Sequence, residues 1–320
     1  MVEFTAIESP RGFAVALAAC PNYDAPSVER GVAAVLDAAG ITLSRGVRVL
    51  VKPNLLLPKP LACTNPEVVA ALCAWLLDNG ARVSVADSPG FGRAASVARR
   101  IGMAEALGRL GLTVVSLDRA ATVRLRLPQG EASVRISRHA LESDVVFSVP
   151  RVKAHSQMLL SLAVKNCFGC VVGLDKALAH ARQGRDRALF ADCLAAIWAA
   201  LPTVFALADG VVGMHVTGPG RGKPFALGCL GASRSAVALD EALCAVLGIA
   251  PDATPLGRAL ERRQAEGCAA AGWRNSYPLL APQDFDAAGF ELPRTLAHTS
   301  FAPARLVKSS IRRLWAALKP

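Results

Sequence analysis

The chain has 320 residues, 52% of them hydrophobic and 19% charged, a balance that excludes disorder and leaves room for one large α/β unit or two smaller ones. Its 36 Lys and Arg against 25 Asp and Glu give a net charge of +11, which favours an anionic partner: a phosphate or carboxylate substrate, a membrane surface or nucleic acid. Nucleic acid is the weakest of these, because zinc-finger spacing, an aromatic-basic ribonucleoprotein motif and a basic heptad are all missing, and no apolar run nears the roughly 20 residues of a membrane span.

The cysteines sit mostly in apolar stretches (Cys73, Cys193, Cys229, Cys244), as reduced thiols of a soluble, cytoplasmic protein would. Leu17-Ala18-Ala19-Cys20 mimics a lipoprotein cleavage box, but Glu3 and Glu8 precede it and the apolar run from Phe13 is short, so Phe13 to Ala19 reads as a first buried strand. A helix capped by Ser27 follows and stops at Gly40. Val47 to Val51 is the next strand, and Pro53 ends its pairing, placing Lys52 and Asn54 at a carboxyl end where doubly wound sheets bind ligands. Asn65-Pro66 opens a second helix, and the strand Arg82 to Ala86 delivers Asp87-Ser88-Pro89-Gly90 ahead of a helix from Ala94 to Leu110.

Thr113 to Leu117 reads as a strand, and Val123 to Ser137 alternates with period two around Pro128-Gln129-Gly130, the pattern of an antiparallel hairpin. The strand Asp144 to Val149 then leads into VPRVKAHSQMLLSLAVKNCFGCVVG, in which Lys153, His155, Lys165 and Asn166 punctuate a buried core helix or inner strand, with Arg151 snorkelling outward as the alternative to a site. Leu174 to Arg187 reads as a basic loop, either a lid over an anion or a connector. After a helix from Asp186 to Leu201 and a strand to Ala208, the glycine-rich stretch Asp209 to Pro224 reads as a loop whose amides, Gly218 among them, and Lys223 approach a ligand. It has neither P-loop nor GxGxxG spacing. The expected fold class is α/β, a largely parallel central sheet flanked by helices with a small antiparallel hairpin insertion. Residues 1–250 form the core and residues 251–320 a helical extension, whose basic amphipathic end, 300–320, admits peripheral membrane contact.

The ordered motifs VLVKPNLL, TNP, D-S-P-G, VPRVKAHS, SLAVKNCFG, DGVVGMHVTGPGRGKP and Ala238-Leu239-Asp240 resemble the family catalogued as domain of unknown function 362. The resemblance implies a core site of Lys52, Asn54, Asp87, Lys153, His155, Lys165, Asn166 and Asp209. Many members continue into a ferredoxin-type iron-sulfur domain, and the CxxCxxC runs of such a domain are absent from this sequence.

Two functions follow as expectations. The first is an enzyme that binds a small anion in a cleft at the strand ends: Lys153, His155 and Lys165 would do the chemistry, while Lys52, Asn54, Asn166, Asp87, Asp209, Gly218 and Lys223 hold substrate, with Asp87 or Asp209 orienting His155 or holding a divalent metal. The second is a redox or metal-handling accessory protein in which Cys167 and Cys170 bind a metal, or an iron-sulfur cluster shared across a homodimer.

Overall fold

The structure is a computed structural model that describes residues 12–89, 92–173, 175–265 and 275–297. Residues 300–320, read as an amphipathic helix, and Cys268 lie outside the described residues. In chain order the elements are β1 (Val15–Ala19), α1 (Ala25–Ala38), β2 (Arg48–Pro53), α2 (Pro66–Asp78), β3 (Arg82–Asp87), α3 (Ala94–Arg100), α4 (Met103–Gly108) and β4 (Val114–Ser116). There follow β5 (Ala120–Leu127), β6 (Gly130–Ser137), α5 (Arg138–Leu141), β7 (Val145–Val149), β8 (Arg151–His155), β9 (Leu159–Ser161), α6 (Ala163–Asn166), α7 (Asp175–Arg182) and α8 (Arg187–Ala199). The described chain continues with β10 (Thr203–His215), β11 (Lys223–Ser233), α9 (Ala236–Val246) and α10 (Pro255–Arg263).

The main sheet runs β1-β11-β10-β7-β2-β3-β4, with β8 pairing β10 and β9 pairing β8. Every pair from β10 to β4 is parallel, as is β8 with β10, while β1, β11 and β9 pair antiparallel at the margins and β5-β6 forms a separate antiparallel hairpin. Alternation along the strands sends side chains into two cores, as the pleat requires. Val49 and Val51, with Val145 and Phe147, face α1, α2, α3 and α4; Leu50 and Val146 face α8, α9, α10 and the hairpin.

Several elements differ from the sequence reading. The helix from Ala94 to Leu110 is broken in two at Gly102, whose φ of 82° is left-handed. The first helix is capped by Asp24, whose carboxylate accepts from the Ser27 amide at 3.0 Å, rather than by Ser27. The basic stretch after Gly173 contains α7, so it is no loop; its charge obscured a sound helical sequence that opens on Asp175. The glycine-rich stretch is largely strand: β10 continues through Asp209 to His215, and a Cβ on Gly210 would press the Cys229 carbonyl at 2.7 Å, so glycine serves close strand approach there. Lys153 and His155 lie within β8, because Pro150 hands pairing from β7 to β8 and its carbonyl accepts from the Asp209 amide at 2.8 Å. Met158 to Val164, read as one element, divides into β9 and the start of α6.

Candidate functional site

The residues expected to share one cleft form three groups. The first is a closed network at the carboxyl ends of β2, β3 and β7. Lys52 follows three buried β2 residues and is itself only 1% exposed, so its ammonium needs partners on the protein. It pairs with Asp87 Oδ1 at 2.8 Å and donates to Asn166 Oδ1 at 2.9 Å and to the Pro53 carbonyl at 3.0 Å. Those contacts use its three donors. Asp87 also accepts the amides of Leu55 and Ser88, both at 2.8 Å. Asn166 receives Asn54 Nδ2 at 2.6 Å, and donates to the Lys52 carbonyl and to Ser148 Oγ at 2.8 and 3.0 Å. Thr64 completes the frame, accepting the Asn54 amide and donating to the Val149 carbonyl.

The second group holds Asp209 away from the lysines. Arg151 does not snorkel; it is 3% exposed and pairs with Asp209 at 3.1 Å. Tyr23 donates to Asp209 Oδ1 and receives Arg151 Nη1, both at 2.7 Å, and the Asn65 amide donates to Asp209 Oδ2 at 2.8 Å. Burial, then the Asp209 charge, pushes the Tyr23 phenol far above its ordinary range, so it stays protonated as the donor in this knot. The Asn54 side chain joins the two groups by accepting the Arg151 amide at 3.0 Å.

The third group is Lys153, His155 and Lys165. Lys153, 2% exposed, donates to the Ala62 carbonyl at 3.1 Å, and desolvation together with the charges of Lys165, Arg151 and Lys52 brings its pKa down to about 7 against the opposing influence of Cys63. His155 accepts the amides of Gln157 and Met158 at Nδ1, which assigns the neutral tautomer with the proton on Nε2. Burial, then Lys165 and Lys153, drives its pKa well below 6.5 and keeps it neutral. Lys165 is half-buried on α6; desolvation lowers its pKa to about 8, and among the described residues its ammonium has no ion pair or hydrogen bond. Behind it, Asp240 accepts the Ala163 and Val164 amides at 2.6 and 3.0 Å, fixing the start of α6. Helix α7 is tied by Lys176 to the Ser88 carbonyl, and just beyond its end the Gly184 carbonyl accepts from Gln157 Nε2 at 3.0 Å.

The remaining candidates are placed as follows. Gly218 stands in the β10-β11 turn, its carbonyl accepting the Ser156 amide at 3.2 Å, and a Cβ there would overlap the Ala154 carbonyl. Lys223 opens β11 opposite His215 and is exposed. Cys167 and Cys170 are fully buried, and burial raises both thiols, Cys170 to about 11. Among the described residues no group of three His, Cys, Asp or Glu converges that could hold a metal. Sequence reasoning missed Gly169, on which a Cβ would overlap Lys52 Nζ and Asp87 Oδ1; it also missed Thr64 and Ser148. The only hint of Gly169 was its place inside the CxxC spacing.

Comparison with known proteins finds the following likenesses. A thylakoid-associated protein of Synechocystis sp. (strain PCC 6803) is 31% identical over 309 residues, 94% of each chain. Among solved structures, the lactate racemase apoprotein from Thermoanaerobacterium thermosaccharolyticum aligns with a TM-score of 0.43 and 14% identity, over 71% of this chain and 55% of that one. Among the described residues no helix is long and apolar enough to cross a membrane. The profile of the domain of unknown function DUF362 matches residues 49–245, more than half of the sequence, and with the relative above it establishes that this chain belongs to the DUF362 family.

Proposed function

We propose that the chain is an enzyme that binds a small phosphate- or carboxylate-bearing substrate against Lys165, beside Lys153 and His155. The observation that carries this reading is the Lys165 ammonium: half-buried, without a counter-ion among the described residues, and flanked by two more basic side chains instead of an acid. An uncompensated cation in such surroundings is costly, and a bound anion would remove that cost.

Lys153, poised near neutral pH, is the group suited to take or give a proton. His155, neutral and protonated on Nε2, is suited to donate a hydrogen bond to a developing oxyanion. Lys52, Asp87, Asn54 and Asn166 are the rigid frame on which these groups stand, their donors already engaged with one another. Calorimetric titration of succinate into wild type and Lys165→Gln tests the reading. Saturable succinate binding that disappears in the variant, at an unchanged melting temperature, supports it; equal succinate binding by both proteins rejects it.

A further inference from the structure

A cavity of about 410 Å³ opens between the first residues of β2 and β3 and the junction of β6 with α5. Arg48 begins β2 while Lys52 stands near its far end, so the cavity and the lysine group lie at opposite ends of the strand. Four arginines line it. Arg48 is held by Asp144 at 2.7 Å and Arg138 approaches Glu142 at 3.7 Å, but Arg82 and Arg119 have no ion pair among the described residues. Asp118 is the one further carboxylate of the lining, and it too has no ion pair there.

Two further features mark a polar site with unfilled hydrogen-bonding capacity. Ser137 is fully buried against the cavity, yet its Oγ has no hydrogen-bond partner. A buried hydroxyl left unpaired is uncommon. Across the cavity, Ser84 Oγ meets His139 Nε2 at 2.8 Å, so the imidazole is tethered to the sheet with its other nitrogen still available.

We propose that this cavity is a second anion site, separate from the lysine group, that takes a phosphorylated sugar or polyol. The planar guanidinium forks of Arg82 and Arg119 match phosphate oxygens. Asp118 accepts from the ligand's hydroxyls, the role a carboxylate fills beside a sugar. The volume exceeds what inorganic phosphate needs and suits a six-carbon sugar phosphate.

Calorimetric titration of glucose 6-phosphate into the full chain tests this, with glucose as the uncharged control. Wild type should bind glucose 6-phosphate saturably and at least tenfold more tightly than glucose. Arg82→Gln combined with Arg119→Gln should weaken it at least tenfold. The arginines are exposed, so the double variant should keep the wild-type melting temperature. Lys165→Gln should retain binding within twofold, which separates this site from the lysine group. No saturable binding at millimolar ligand, glucose binding as tight as its phosphate, or loss in Lys165→Gln but not in the arginine variant would overturn the proposal.

Discussion

Lys52 and Lys153 are both buried at one end of the sheet, yet their surroundings make them opposites. Lys52 has a carboxylate and two carbonyl-type acceptors, while Lys153 has one carbonyl and other cations. Replacing Asp87 by Asn should therefore leave an uncompensated charge and cost about 3–5 kcal/mol in urea unfolding, whereas a loss below about 1 kcal/mol would mean that Lys52 finds other relief. Lys153 titrates near 7 when folded and near 10.5 when unfolded. Between those values the unfolded chain holds more protons, so this residue makes stability rise as pH goes from 7 to 10.5, by at most about 1.4 kcal/mol per unit. The methionine variant should lose that slope, as melting curves across this window would reveal. Gly169→Ala, crowding the Lys52-Asp87 pair, should destabilise by about 1–3 kcal/mol. Residue types alone disclosed Lys52, Asn54, Asp87 and Asn166, since a lysine after an apolar run must find acceptors. They did not disclose that these acceptors come from the protein, because Asp87 and Asn166 lie far along the sequence from Lys52 and only the fold brings them together.

At the scale of elements, the strands with uninterrupted apolar runs were legible, β2 and β7 above all, because burial on both faces leaves no other sequence pattern. Elements whose residues serve a neighbour instead were not. In β10, Asp209 faces Arg151 of β8, and Gly210 makes room for β11, so polar and glycine residues concealed a strand. The short α6 was hidden likewise, since its start depends on Asp240, a residue of α9. Burial raises the Asp240 pKa to about 7 from 3.8, so between those values the folded chain holds the extra proton and the stability contributed falls as pH rises. Asp240→Asn should flatten that decline. By unsettling α6 it should also weaken anion binding at Lys165, read as a higher Kd at constant stoichiometry; an unchanged Kd would show that α6 is fixed by other contacts.

Across the whole molecule, the parallel sheet sorts the chemistry by strand end. The carboxyl ends carry the lysine group, as ligand sites in open α/β sheets do, and the opposite end carries the arginine-lined cavity. A net charge of +11 favours an anionic partner without giving a location, because charge is summed over the sequence while a site depends on which cations lack acids. The two proposed sites differ in how they respond to pH: Lys165 loses its proton near 8, whereas arginine keeps its charge. Succinate carries the same charge at pH 7 and pH 9, so its affinity reports the protein's own titration. Calorimetric titration of succinate into wild type and Lys165→Gln at both pH values is therefore the most direct test of the lysine site. Binding at pH 7 that weakens about tenfold at pH 9, and that is absent in the variant at either pH, is the expected result. Affinity that is the same at both pH values, or that survives in Lys165→Gln, would contradict it.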